Sequence, residues 1–170
     1  MIDFKSKIKN FGLLEILVLF SAIYVVSTLI WTASTRSAVE EKANTVKSNH
    51  KIIVDLINKE INNCDQGDEN SQTIWGDSCK NEWSYKKVID YINSNLKLKN
   101  PYSSENVIVK SAQDPRLQAE GKAGQSTEMG IIFISSKNFQ SEPGSEWVIG
   151  TCVKSPCVAA GNNELTSVYR

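Results

Sequence analysis

The chain has 170 residues, enough for one domain of ordinary size and an additional segment. Its 19 Lys and Arg balance its 19 Asp and Glu, so the formal net charge is zero. Nucleic acid phosphates need a surplus of positive charge, and we therefore expect no nucleic acid as a primary partner. Histidine occurs once, at His50, which excludes a metal or proton-transfer site built from several imidazoles.

The first 32 residues contain almost all of the long apolar sequence. Residues 1–10 carry three lysines and one aspartate, whereas residues 11–32 (FGLLEILVLFSAIYVVSTLIWT) contain a single charge, Glu15. As a helix, these 22 residues would span roughly 33 Å, about the thickness of a hydrocarbon core. Because basic residues precede the apolar run, the amino terminus is expected in the cytoplasm, with everything from Thr35 onward on the other side.

Three interpretations of this segment compete. A cleaved secretory signal has an apolar region of only about 7–15 residues, so residues 11–32 are too long for one. A single-pass membrane anchor fits the length. In the third interpretation Glu15 has a functional role. An ionised group inside a membrane helix costs on the order of 2.5–3.5 kcal/mol, and no basic residue lies in the span to offset that cost. Its partner must then come from another chain or from a new amino terminus, unless the side chain snorkels to the nearby interface.

Residues 9–15 (KNFGLLE) with the apolar run behind them resemble the class III leader of type IV pilins and pseudopilins. The resemblance implies that a prepilin peptidase cuts between Asn10 and Phe11, that the new amine of Phe11 is N-methylated, and that Glu15 pairs with the amino terminus of a neighbouring subunit. The family almost always has Gly before the cut, with Ala as a minority, whereas this chain has Asn10. Either the peptidase accepts Asn10, or processing is altered or absent.

Residues 36–62 contain neither Pro nor Gly and predict that the helix continues beyond the apolar run. One apolar stripe recurs at spacings of three and four; it comprises Val39, Ala43, Val46, His50, Ile53, Ile57 and Ile61. We expect this stripe to pack on a sheet and His50 to be a histidine at the edge of the core rather than a ligand. A coiled-coil stalk is the alternative, disfavoured because the stripe covers fewer than four heptads.

The rest of the chain predicts short elements. Polar residues 65–78 should form a loop with Trp75 turned inward, and residues 82–96 a short amphipathic helix. Strands are predicted at residues 107–109, 129–135, 146–153 and 165–169, with a polar loop over 112–127 and a turn at Pro143-Gly144.

These elements predict an α+β fold in which a long amino-terminal helix packs on one face of a small antiparallel sheet, as the pilin resemblance also implies. The predicted organisation is a leader (1–10), a transmembrane or filament-core half of the helix (11–32), an amphipathic half (33–62) and a globular head (63–170).

Four cysteines, Cys64, Cys79, Cys152 and Cys157, all lie beyond the apolar run, which suits an oxidising compartment. Of the three pairings, the local one, Cys64 with Cys79 and Cys152 with Cys157, is favoured. Zinc and redox sites are disfavoured because no C-x-x-C spacing occurs. Residues 150–157 also resemble the disulfide-bounded loop that closes many type IV pilin heads.

No catalytic motif is present: the chain has no G-x-S-x-G, no P-loop and no G-x-G-x-x-G. The acidic cluster of Asp65, Asp68 and Glu69 fails the EF-hand pattern and is interpreted as a solvated turn. We therefore expect no enzymatic activity, no metal and no cofactor.

The resemblance implies a structural subunit, a major or minor pilin, of a type IV pilus-like filament. Its partners would be other pilin subunits, the prepilin peptidase and, before assembly, the inner membrane; afterwards it would lie in an extracellular pilus or a periplasmic pseudopilus. One alternative is a pseudopilin of a type II secretion system, against which Cys152 and Cys157 argue, because the major pseudopilins look calcium-stabilised and lack a terminal Cys loop. The other is a single-pass membrane-anchored envelope domain that never polymerises, for which Asn10 is the best support.

Overall fold

A computed structural model of the chain describes residues 12–67, 71–80, 83–105, 107–122, 128–135 and 146–169. The predicted leader, with Asn10 and Phe11, and the predicted Pro143-Gly144 turn lie outside the described residues. Seven elements follow in chain order: α1 (Leu13–Gln66), α2 (Tyr85–Asn95), β1 (Val109–Ala112), α3 (Pro115–Ala119), β2 (Ile132–Ser135), β3 (Glu146–Cys152) and β4 (Asn163–Tyr169). The chain forms two compact units, Met1–Glu40 and Glu41–Arg170.

The four strands form one sheet in the order β1-β2-β3-β4. Strands β2 and β3, and β3 and β4, are antiparallel, but β1 and β2 are parallel, so the sheet is mixed and the prediction of a wholly antiparallel sheet is wrong. The reason lies in residues 112–127, predicted as a loop, which contain α3. A connection that includes a helix can return the chain to the same end of the sheet, as a parallel pair requires.

Local chemistry explains the start of α3, which the sequence analysis missed. The carboxylate of Asp114 caps this helix by accepting the backbone N–H of Arg116 at 2.9 Å, and Pro115 occupies the first helical position. Both features are typical of helix amino termini. The pair Asp114-Pro115 was therefore the sequence signal for the start of a helix. It lies in a segment whose polar composition predicted only a loop.

The amphipathic stripe of α1 packs on one face of the sheet from Ala43 onward. Six of its seven predicted residues are buried, whereas Val39 is 41% exposed, so the buried stripe begins one helical turn later than predicted. Its three isoleucines belong to one core cluster with apolar side chains of the inner strands, namely Ile132, Ile134, Trp147 and Ile149. Full burial of such side chains contributes about 1.5–3 kcal/mol each.

The opposite face of the sheet is covered by α3, and Gly150 on β3 allows the contact. A Cβ atom added at Gly150 would lie 2.4 Å from the backbone oxygen of Pro115 and 3.1 Å from the Cβ of Ala119. Only glycine therefore permits α3 to lie this close to the sheet. The sheet is consequently covered by α1 on one face and by α3 on the other.

Three tryptophans connect the polar loop after α1 to the sheet. Trp75 and Trp83 stack edge to face with ring centroids 5.2 Å apart, and Trp83 and Trp147 do so at 5.5 Å. This geometry is favourable beyond the burial of area alone. The prediction that Trp75 turns inward is confirmed, since its side chain is buried.

Candidate assembly and anchoring site

The amino-terminal part of α1 exposes every large apolar side chain from Leu14 to Trp31. The exposed fractions range from 42% at Ile16 to 76% at Leu14. The helix is long and apolar enough to cross a membrane, and no residue of its most apolar 18-residue stretch is buried. A continuous apolar surface of this kind marks a lipid or protein interaction site in a folded protein.

The serine and threonine hydroxyl groups of this segment are bonded within the helix. Ser21, Ser27, Thr28 and Thr32 each donate to a backbone carbonyl three or four residues earlier, at 2.7–3.0 Å. In an apolar environment an unbonded hydroxyl would be costly, and these bonds remove that cost without water. The polar residues of the segment are therefore compatible with lipid or with a dry helical bundle.

Glu15 closes the first turn of α1 in a way that the sequence analysis missed. The backbone oxygen of Gly12 accepts the N–H groups of Glu15 and Ile16 at 3.0 and 3.2 Å, which makes Gly12 the amino-terminal cap. The Oε2 atom of Glu15, the third helical residue, accepts the N–H of Gly12 at 3.1 Å. This is the carboxylate half of a capping box, and its negative charge also favours the positive end of the helix dipole. The signal was a cap-compatible glycine followed three residues later by Glu.

This bond changes what Glu15 requires from a partner. The carboxylate has a neutral donor in its own chain, so it needs no second chain for that one contact. Among the described residues nothing binds its other oxygen, Oε1, and no cation lies beside it. Pairing with a neighbouring amino terminus therefore stays a prediction, and Asn10 and Phe11, predicted as the processing site, lie outside the described residues.

Both predicted disulfides are present in the structure: Cys64–Cys79 and Cys152–Cys157, each with Cα atoms 5.2 Å apart. Helix α1 extends to Gln66, four residues beyond its predicted end, so Cys64 lies in its last turns. The first disulfide ties this helix end to the far side of the polar loop. The second closes the chain between the end of β3 and the start of β4.

Two buried carboxylates hold the loop of the first disulfide. Glu60 accepts the N–H of Ile74 at 2.9 Å and the amide of Asn63 at 3.1 Å. Asp77 accepts the N–H of Ser84 at 2.7 Å and the ammonium of Lys87 at 2.6 Å. Each carboxylate is occupied by donors from the loop or from the elements beside it, which gives it a structural task.

The second disulfide loop is held by two amides. The side chain of Asn162 donates to the backbone oxygen of Pro156 at 3.0 Å, and that of Asn163 donates to the oxygen of Cys157 at 2.6 Å. Both bonds fix the carboxy-terminal end of the loop to the start of β4, and Val158, the residue after Cys157, is exposed.

His50 lies at the edge of the core, as predicted. Its Nε2 atom is 2.9 Å from the hydroxyl of Thr166 on β4. Burial lowers the pKa of His50 from its usual 6.5 to about 4, against an opposing effect of Glu164, so the imidazole is neutral at pH 7. No group of three or more His, Cys, Asp or Glu that could hold a metal ion occurs among the described residues.

Comparison with known proteins identifies no relative: no family model, no curated protein and no solved structure matches this chain. The functional proposal therefore rests on two features of the chain, the exposed apolar part of α1 and the folded unit that follows it.

Proposed function

We propose that this chain is a structural subunit of a type IV pilus-like filament and that it assembles through the apolar part of α1. The observation that carries the proposal is the uninterrupted exposure of large apolar side chains from Leu14 to Trp31 in a chain whose other unit has its own buried core. Such a surface requires lipid before assembly and the corresponding helices of neighbouring subunits afterwards.

In this proposal the inner membrane holds the chain before assembly, with its amino terminus in the cytoplasm. A prepilin peptidase would remove residues 1–10 and leave the amine of Phe11 at the new terminus. The bonds that the four hydroxyl groups form within the helix support the membrane-held stage, because a helix whose hydroxyl groups are already bonded can lie in lipid without water.

Glu15 would specify how neighbouring subunits align. Its Oε2 atom is engaged by Gly12, which leaves Oε1 for the amine of a neighbouring Phe11. A carboxylate enclosed in an apolar bundle without a cation is penalised, and a misaligned subunit would therefore be disfavoured. The charge would thus select one register of the helices.

A second candidate is a single-pass anchored envelope domain that does not polymerise. The bond between Glu15 and the N–H of its own Gly12 favours it, because this contact accounts for the carboxylate without a neighbour. Asn10 at the position before the predicted cut supports the same candidate.

The mass and amino-terminal sequence of the mature protein, taken from a sheared cell-surface fraction, separate the two. The filament subunit should begin at methylated Phe11 and be four hydrogens lighter than the reduced chain, because it holds two disulfides. A full-length chain that stays in the membrane fraction and is absent from the sheared fraction would refute the filament proposal and support the anchored domain.

A further inference from the structure

The apolar part of α1 can be placed in a bilayer in two ways. In the longer placement the hydrocarbon core reaches from Glu15 to Arg36, the charged residues on either side of the uncharged stretch, a length of about 31 Å. In the shorter placement it reaches from Gly12 to Trp31, a length of about 28 Å. Both lengths match a hydrocarbon core of about 30 Å, so length alone does not choose between them.

The exposed apolar side chains of this helix point to all sides. Each of the five consecutive residues from Ile16 to Phe20 is exposed, by 42–68% of its surface. Successive residues of a helix are rotated by about 100° around its axis, so these five cover the whole circumference. A single partner helix would cover one stripe, whereas lipid covers every side. Lipid hydrocarbon is therefore the occupant that fits this surface in a single subunit.

The amino-terminal end of the helix favours a boundary at Gly12. The leading N–H groups of a helix have no acceptors within it and need water or lipid headgroups. The carboxylate of Glu15 reaches back to the N–H of Gly12 at 3.1 Å. Helical side chains tilt toward the amino terminus, so Glu15 brings its charge one turn back, to the level of Gly12. The backbone of Glu15 can then lie in hydrocarbon while its charge lies at the interface.

The other end of the segment favours a boundary at Trp31. From Ser21 to Thr32 every serine and threonine hydroxyl donates within the helix. Ser34 is the first whose hydroxyl forms no hydrogen bond with any described residue, and an unbonded hydroxyl is costly in hydrocarbon. Trp31, three residues earlier and 72% exposed, is of a residue type enriched at membrane interfaces. The longer placement would put Trp31 about 7 Å inside the hydrocarbon and Ser34 inside it as well.

We propose that, in the membrane-held stage, lipid hydrocarbon covers α1 from Gly12 to Trp31, with the Glu15 carboxylate at the cytoplasmic headgroups and the Trp31 ring at the opposite ones. This register rests on the proposed function, which places the helix in the inner membrane, and it adds which residues meet the headgroups. Glu15 is then enclosed in apolar surroundings only when the subunit enters a helical bundle. The cation from a neighbouring amino terminus is needed in the filament and not before it.

Thiol labelling of the full-length chain in phospholipid vesicles tests both boundaries. All four native cysteines are paired, so a new cysteine is the single free thiol. The variants are Gly12→Cys, Ser34→Cys and, as the matched control in the middle of the span, Ile23→Cys. A Cβ atom added at Gly12 meets nothing within 4 Å, so that substitution has room. A charged maleimide is present on both sides of the vesicles, so the orientation of the chain does not affect the result.

Gly12→Cys and Ser34→Cys should react at least about ten-fold faster than Ile23→Cys, because hydrocarbon excludes the reagent and suppresses the reactive thiolate. Slow labelling of Gly12→Cys or of Ser34→Cys would overturn the register, and with Ile23→Cys also slow it would leave the proposed function standing. Equally fast labelling of all three would show that the helix is not in the bilayer, which would overturn the register and the membrane-held stage of the proposed function together.

Tryptophan fluorescence tests the outer boundary without a new cysteine. The other three tryptophans are buried in the folded unit, and subtracting the spectrum of Trp31→Phe isolates the signal of Trp31. Bromine atoms on the lipid chains near the headgroups should quench Trp31 roughly two-fold more than bromine atoms near the chain ends. Ile23→Trp in the Trp31→Phe background should show the reverse order. Stronger quenching of Trp31 by the deep bromine atoms would overturn the register.

Discussion

His50 on α1 and Thr166 on β4, 116 residues apart in the chain, are joined by a hydrogen bond of 2.9 Å between imidazole Nε2 and hydroxyl Oγ1. The bond connects the long helix to the last strand of the sheet. One helical turn earlier, Lys47 forms an ion pair with Glu164 of the same strand at 3.4 Å. Together these contacts place β4 against the amphipathic part of α1.

Stability should depend on pH through His50. The pKa of its imidazole is lowered from 6.5 to about 4 by burial, so between these values the unfolded chain binds a proton that the folded chain does not. The free energy of unfolding should therefore be unaffected by His50 above pH 6.5 and fall by about 3 kcal/mol as the pH decreases from 6.5 to 4. Urea unfolding at a series of pH values measures this change.

His50→Gln is the matched control, because an amide can still bond to Thr166 but does not titrate. Its unfolding free energy should be nearly flat between pH 6.5 and 5. Hydrogen bonds from Ser167 and the nearby Arg116 lower the pKa of Glu146, but that group reduces stability only below its usual value of 4.5. An equal slope in the wild type and in His50→Gln would show that another group is responsible.

Two substitutions separate the two tasks of Glu15. Glu15→Gln keeps an oxygen that can accept the N–H of Gly12 but removes the charge, whereas Glu15→Ala removes both. If the charge pairs with a neighbouring amine, both variants should remain membrane-bound with an intact folded unit and should produce few filaments. Electron microscopy and the yield of sheared filaments measure the effect. Normal filaments from Glu15→Gln would assign the residue to helix capping alone.

Asn93→Ala should destabilise the folded unit by about 1–3 kcal/mol, because it leaves backbone groups of Ile108 and Val109 without partners. The same substitution at Asn95, an exposed residue of α2 whose side chain donates to the backbone oxygen of Tyr91 in its own helix, is the control and should change stability by less than about 0.5 kcal/mol. Chemical denaturation gives both values. A negligible effect at position 93 would mean that water replaces the amide without cost.

The exposed β1 edge left by Asn93→Ala should also become available for pairing. Increased concentration-dependent association of Asn93→Ala, but not of Asn95→Ala, would be the expected result in sedimentation experiments. This follows from the loss of the side chain that lies along the edge.

The two disulfides should differ in their contribution to stability. Cys64 and Cys79 are 15 residues apart, and Cys152 and Cys157 are 5 apart. In the chain-entropy model these loops are worth about 3 and about 2 kcal/mol, respectively. The double variants Cys64→Ala/Cys79→Ala and Cys152→Ala/Cys157→Ala, compared by thermal unfolding, test the order. A larger loss from the shorter loop would point to packing of that loop rather than chain entropy.

Much of the architecture was predictable because it is encoded in local patterns. The apolar run, the stripe from Ala43 to Ile61, the four strands and both disulfide pairs follow from composition and spacing and are confirmed. Strand positions were less accurate: the first strand was predicted at residues 107–109, but β1 begins at Val109. Its short sequence has no periodicity that would mark its ends.

The capping bond of Glu15 and the hydrogen bonds of Asn93 to the backbone of Ile108 and Val109 were also not predicted, and the reason is different. Each depends on one polar side chain meeting particular backbone groups, and the three groups bound by Asn93 lie 15 or 16 residues away. Sequence patterns report which face of an element is apolar, but they do not report which amide meets which carbonyl.

The amino-acid sequence by itself determined the long helix, its division into an apolar and an amphipathic part, the α+β class and the cysteine pairing, because each depends on periodicity or on short separations. Only the tertiary structure decided the parallel pairing of β1 with β2, the contact of α3 with Gly150, and the bonding of Asn93 to the edge strand β1. These features arise where segments distant in sequence compete for the same backbone groups and the same space, and that competition is resolved only when the chain is folded.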